Sequence, residues 1–110
     1  MARKKMTPEL LALVAERFKA LGEPARLSIL SQLRDGEAAV GELIDATGLG
    51  QANVSKHLQL LHSLGFVARR KEGLFVYYAL ADESVFQLCD IMCGKIVEET
   101  RQRGRVLAGR

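Results

Sequence analysis

The stretch Gly48 to Phe66, GLGQANVSKHLQLLHSLGF, limits the fold more than any other. It places an amphipathic helical pattern between glycines that start and stop it. With Val54 at zero on a helical wheel, Leu58 and Leu61 fall within about 40° of it. Leu64 lies on the margin, while Ala52, Ser55, Lys56, Gln59 and Ser63 point the other way. One face of this helix is built to pack, and the other is free and carries amide, hydroxyl and ammonium groups. Those groups suit a helix lying in a DNA major groove, where amides pair with adenine edges and lysine reaches guanine or phosphate.

The flanking segments give this helix its setting. Val40 to Thr47 reads as a short helix stopped by Gly48, and Gln51 to Leu64 as the next, only about three residues on. Two helices joined by so short a glycine turn form a helix-turn-helix whose second member reads DNA. After Gly65, the β-rich runs Phe66 to Lys71 and Phe75 to Leu80 flank Glu72-Gly73-Leu74, a hairpin with one basic arm. A basic hairpin can simply be an edge strand protected by charge. Directly after a helix-turn-helix, it reads as a wing that contacts DNA.

Charge is distributed to match. The chain has a formal net charge of +3, and residues 51–81 carry four basic side chains against one acidic, while the segments on either side balance. So small an excess also fits an ordinary solvated face, but its position points to a polyanion. At 110 residues the chain is expected to form one domain over 1–110, with flexible tails at 1–6 and 104–110. No apolar run approaches the roughly 18 residues of a membrane span, and Met-Ala-Arg-Lys-Lys leads into an amphipathic segment rather than a signal-peptide core. The expectation is a cytoplasmic protein with no membrane partner.

The remaining elements read as scaffold. Thr7-Pro8-Glu9 is a helix start, with Leu10, Val14, Phe18 and Leu21 at helical spacing up to Gly22. Pro24 opens a second helix, buried through Leu27, Leu30 and Leu33 or their neighbours, until Arg34-Asp35-Gly36 breaks it. From Asp82, read as an N-cap, a last helix runs to about Arg103. It carries Val85, Leu88, Cys89, Met92, Cys93, Ile96 and Thr100 on one stripe. So long an apolar face on a small domain calls for a second copy of the chain. Val85, Leu88, Met92 and Ile96 are therefore the expected dimer interface, with help from the first helix.

The fold expected is mainly α with a small β-hairpin, in the order α-α-α-α-β-β-α: a winged helix-turn-helix dimerising through its terminal helices. Three segments carry a resemblance: Leu21-Gly-Glu-Pro-Ala-Arg26-Leu-Ser-Ile-Leu30, Gln51-Ala-Asn-Val-Ser55-Lys-His57-Leu-Gln-Leu-Leu and Arg69-Arg70-Lys71-Glu72-Gly73. Together they resemble the ArsR/SmtB family of bacterial winged-helix repressors over about residues 10–102. The resemblance implies a homodimer that binds a palindromic operator on double-stranded DNA, represses transcription and lets go when an inducer binds. The chain also departs from the family. Ala39-Val40-Gly41 stands where arsenic-responsive members carry a Cys-Val-Cys box, so those two thiolates are missing. The last helix has no histidine for a zinc or nickel site, and Leu74 replaces a basic residue common at the wing.

The candidate DNA contacts are Gln51, Asn53, Ser55, Lys56 and Gln59 on the reader helix and Arg69, Arg70 and Lys71 on the wing, with His57 beside them. His57 sits next to the packed face, so an orienting hydrogen bond and a DNA contact are both open to it. His62 reads as structural or merely exposed. Cys89 and Cys93 stand four apart on one helix face. They are either small buried hydrophobes or a thiol sensor using redox chemistry or a thiophilic ion. An intrahelical disulfide at this spacing is strained, but two pairs facing each other across a dimer seam could form an intersubunit bridge or a four-thiolate site. No cofactor is required on this reading, and a thiophilic metal or metalloid is the candidate inducer.

An enzyme is not expected, since the chain has no phosphate-binding glycine loop or metal-hydrolase spacing, and no histidine lies near the cysteines in sequence. The rival reading is a winged helix used for protein interaction or dimerisation without DNA.

Overall fold

The computed structural model describes residues 5–103. The expected tails fall outside that range, except for Lys5 and Met6, which precede the first helix as exposed coil. Eight elements follow in order: α1 (Pro8–Leu21), α2 (Pro24–Leu33), β1 (Ala38–Ala39), α3 (Val40–Thr47), α4 (Gln51–Ser63), β2 (Val67–Glu72), β3 (Phe75–Leu80) and α5 (Ser84–Gln102).

The helix ends follow local chemistry. Thr7 Oγ1 accepts from Leu10 N at 3.1 Å, and Pro8 opens α1. Glu23 caps α2 in the same way, its Oε1 accepting from Ala25 N at 2.8 Å ahead of Pro24 at the helix start. In α3, Glu42 reaches back so that its Oε1 accepts from Ala39 N at 2.8 Å. Gly48 closes α3 at φ +75°, the left-handed conformation that lets its N–H reach Ile44 O and turns the chain into α4. Asp82 does not cap α5 itself. Its Oδ1 accepts from Ser84 N at 2.9 Å, and this bond holds its carboxyl below the usual range, while Glu83 occupies the cap position.

The wing is wider than a hairpin. β1 pairs antiparallel with β3, giving the order β1-β3-β2, with Ala38 opposite Tyr78 and Ala39 opposite Tyr77. β2 pairs with β3 from Val67 opposite Leu80 to Glu72 opposite Phe75, around a turn with Gly73 at φ +62°. Two alanines carry little strand preference of their own. β1 forms because the free edge of β3 lies beside the chain leaving α2.

One core joins the helix-turn-helix to the sheet. Ile29, Leu30 and Leu33 of α2, Leu43 of α3, and Val54, Leu58 and Leu61 of α4 meet Val67 and Tyr78 of the sheet. Val54, Leu58 and Leu61 are fully buried, as the wheel requires. Burial of each such side chain contributes about 1.5–3 kcal/mol. In α2 the inward residue is Ile29 rather than Leu27, which is exposed. In α1 only Ala20 is fully buried; Leu10, Val14 and Leu21 are half-buried, and Phe18, expected on the packed face, is exposed.

The last helix also corrects an expectation. Val85 is 3% exposed in the single protomer and packs with Phe86 in this core, so it is not part of a free surface. Arg34 at the end of α2 lies 4.3 Å from the Phe86 ring centroid and pairs with Asp90 at 3.2 Å, fixing the first turns of α5 against the body. Thr100 is likewise buried, its hydroxyl donating to Ile96 O. The free stripe is shorter than expected and consists of Leu88, Met92 and Ile96, with Ile91 beside them. Among the described residues, no helix is long and apolar enough to cross a membrane.

Candidate nucleic-acid interface

The reader helix presents its polar residues as its periodicity dictates. Gln51, Asn53, Lys56 and Gln59 are exposed, Ser55 is half-buried at the margin, and Val54, Leu58 and Leu61 anchor the opposite face. Gly50 caps α4 without a side-chain hydrogen bond, which leaves first-turn N–H groups for a phosphate.

The strand alternation of the wing sorts its three basic residues onto two faces. Val67, Arg69 and Lys71 share one face of β2, opposite Leu80, Tyr78 and Val76. At Val67 this face enters the core. Further out, it opens into a cleft of ≈ 490 Å³ bordered by Ser55 and Gln59 of α4, Val40 of α3, Arg69, Arg70, Lys71, Val76 and Tyr78. Arg69 and Lys71 therefore stand with the reader helix around a single basic groove.

Although Arg70 borders the groove, its guanidinium turns to the outer face. Its Nε donates to Glu37 Oε2 at 2.6 Å, its Nη2 to Glu37 Oε1 at 2.8 Å, and its Nη1 to Glu72. It also lies 4.7 Å from the Tyr77 ring centroid. The Arg70 hydrogen bonds hold the Glu37 carboxyl below its ordinary range, and both carboxylates hold the guanidinium proton more tightly than usual. Sequence groups Arg69, Arg70 and Lys71 together; all three border the cleft, and among the described residues only Arg70 of the three is held in salt bridges.

His57 has an orienting partner. Arg26 of α2 donates from Nε to Ala20 O at 2.6 Å, and its Nη1 lies 3.2 Å from His57 Nδ1. Partial burial, then the Arg26 charge, lowers the His57 pKa below its ordinary value, so the ring is neutral near pH 7. His62 is half-buried in the last turn of α4. Cys89 is half-buried against the core and Cys93 is exposed one turn on, both as free thiols. Among the described residues, no group of three or more His, Cys, Asp or Glu side chains is gathered as for a metal ion within the protomer.

A model of the arsR family of bacterial regulatory proteins matches residues 23–69, the segment from α2 through the reader helix to the first half of β2. The crystal structure of Rv0081 from Mycobacterium tuberculosis superposes with a TM-score of 0.78 at 33% identity, covering 88% of this chain and 98% of that one. This chain belongs to the arsR family. The solution structure of Mb0332 from Mycobacterium bovis, described as a homodimeric winged helix-turn-helix DNA-binding domain, is 38% identical, with a TM-score of 0.71 over 91% of this chain and 92% of that one. The HTH-type transcriptional regulator NmtR of Mycobacterium tuberculosis is 43% identical over 79 residues, 72% of this chain and 66% of its own length. The chain thus spans just under two thirds of that curated relative. The family is one of bacterial regulatory proteins, and the relatives matched are named transcriptional regulators and repressors.

Proposed function

We propose that this arsR-family chain, a single domain over residues 1–110, acts in the cytoplasm as a homodimeric repressor on an inverted-repeat operator. The observation that carries the reading is the groove itself. Gln51, Asn53, Lys56 and Gln59 are exposed on the free face of α4, and Arg69 and Lys71 of β2 share a cleft with Ser55 and Gln59 of that helix. Amides and lysine on α4 read base edges in the major groove, while the wing cations contact phosphates alongside it. The exposed apolar residues Leu88, Met92 and Ile96 of α5, with Leu11 and Phe18 of α1, are the surface a second copy would cover. A two-fold pair would set two reader helices on half-sites about 34–36 Å apart.

The inducer acts, on this proposal, through Cys89 and Cys93. They lie on the helix that carries the proposed seam, one half-buried and one exposed, so oxidation or a thiophilic ion there would change how two α5 helices cross. One relative is named a cadmium resistance regulatory protein, which supports a soft ion as the ligand class. This chain has neither the Cys-Val-Cys box nor an α5 histidine, so its donor set would be its own four thiolates, two from each protomer.

A mobility shift with the DNA upstream of the chain's own gene tests both parts. Binding should persist in reductant and fall on adding oxidant or a thiophilic ion, and Cys89→Ser/Cys93→Ser should bind without responding. Absence of any sequence-preferring shift sinks the repressor reading, and an unchanged response in the double variant sinks the thiol part alone.

A further inference from the structure

We propose that Arg70 is a positioning residue of the wing, a strap that aims Arg69 and Lys71 at DNA while making no phosphate contact itself. The inference rests on the DNA-binding reading above and assigns the wing's three cations two different jobs.

The strap follows from sheet register. Ala39 of β1, Tyr77 of β3 and Arg70 of β2 lie in one row across the sheet. Residues opposite each other in antiparallel pairs share a face, so Arg70 and Tyr77 stand on the outer side, and Glu37, two residues before Ala39, falls on that side as well. Arg70 crosses the Tyr77 ring to reach Glu37 with two parallel N–H···O bonds. A bidentate fork fixes orientation as well as distance, and lysine cannot reproduce it.

The hairpin needs such a tie. A two-stranded ribbon is marginal in water, and β1 supports β3 through only two residues. The strap adds a link from β2, across β3, to the segment that leads into α3, so the hairpin and the helix-turn-helix move together. Arg69 and Lys71 are then held over the cleft opposite Ser55 and Gln59.

Charge explains why Arg70 itself is not a phosphate contact. Its single positive charge sits between the Glu37 and Glu72 carboxylates. A phosphate approaching this cluster meets a net negative charge, so binding there releases no counterion from the DNA.

The test separates affinity from salt dependence, using a duplex that wild-type protein selects from a random pool. Arg69→Ala and Lys71→Ala should each lower the log–log salt slope by about 0.9 per protomer. Arg70→Lys, which keeps the charge and loses the fork, should weaken binding about fivefold with the slope unchanged. Glu37→Gln should do the same, and the double variant should cost no more than either single change. In the free protein, Arg70→Lys should speed amide exchange across Glu72 to Phe75. The strap is overturned if Arg70→Ala lowers the slope as Lys71→Ala does, or if Glu37→Gln tightens binding by freeing Arg70. Unaltered exchange in Arg70→Lys overturns it as well. Should the wild type select no duplex, the DNA-binding reading falls by itself, and exchange still decides the strap.

Discussion

Arg26 Nη1 lies 3.2 Å from His57 Nδ1, and a guanidinium has only hydrogens to offer, so the ring nitrogen accepts and His57 carries its proton on Nε2. The same guanidinium donates to Ala20 O near the end of α1, so one side chain ties the first helix to the reader helix. This contact lies in segments that also carry the family resemblance, Leu21 to Leu30 and Gln51 to Leu61.

It gives the fold a pH dependence of defined sign. Partial burial and the nearby Arg26 and Lys56 charges lower the His57 pKa in the folded state, outweighing Glu23, which pulls the other way. The unfolded chain therefore binds this proton more readily. The contribution to stability is full above the unfolded value of about 6.5 and is lost as pH falls through the lower folded value. His57→Asn keeps an acceptor for Arg26 and cannot titrate. Subtracting its melting temperatures from the wild type's between pH 7.5 and pH 5 should leave a decline on acidification, and a flat difference would refute the assignment.

Gly48 makes a prediction about backbone alone. Its φ is +75°, and a Cβ there would meet nothing within 4 Å, so replacement meets conformational strain and no clash. Gly48→Ala should cost about 1–2 kcal/mol in urea unfolding, and Gly48→Asn should recover part of that because asparagine tolerates this region better. Equal losses would mean the turn relaxes.

Much of this was legible in sequence because helix faces are local. Val54, Leu58 and Leu61 were readable from spacing, and Thr7 and Gly48 from their chemistry as a cap and a stop. Other features depend on residues distant in the chain. β1 is two alanines that become a strand only beside Tyr77 and Tyr78. His57, which Arg26 orients, and Glu37, which Arg70 grips, lie 31 and 33 residues from those arginines, and no short-range pattern links either pair. Phe86 adjoins the α5 stripe and so escapes a reading by helical spacing, while Val85, on the stripe, packs into the protomer's own core instead of facing an interface. Strand alternation alone separates Arg70 from Arg69 and Lys71.

The two faces of α4 should fail differently. Leu58 is fully buried, and Leu58→Ala should lower stability by about 2–5 kcal/mol through lost burial and a cavity. Asn53 is exposed, and Asn53→Ala should leave unfolding within about 0.5 kcal/mol of wild type. It should instead relax preference at one base pair by about 1–3 kcal/mol. Competition against single-base operator variants reads this directly, and uniform weakening on every sequence would make Asn53 a backbone contact.

The α5 seam can be tested through Cys93 without DNA. Met92 is 61% exposed in the protomer and Cys93 follows it on the exposed side, whereas Cys89 is already half-buried against the core. If Leu88, Met92 and Ile96 meet their counterparts in a second copy, association shields Cys93 from alkylation and changes Cys89 much less. Met92→Glu places a carboxylate in that contact, where burying an unpaired charge costs several kcal/mol per ion and two copies would face each other. The variant should sediment as a monomer, and iodoacetamide should modify its Cys93 faster than in wild type at the same concentration. Because Met92 contributes nothing to the protomer's buried core, thermal unfolding of the monomer should remain cooperative. A Met92→Glu protein that stays dimeric, with Cys93 modified at the wild-type rate, would move the seam off this stripe and onto the exposed Leu11, Leu13 and Phe18 of α1.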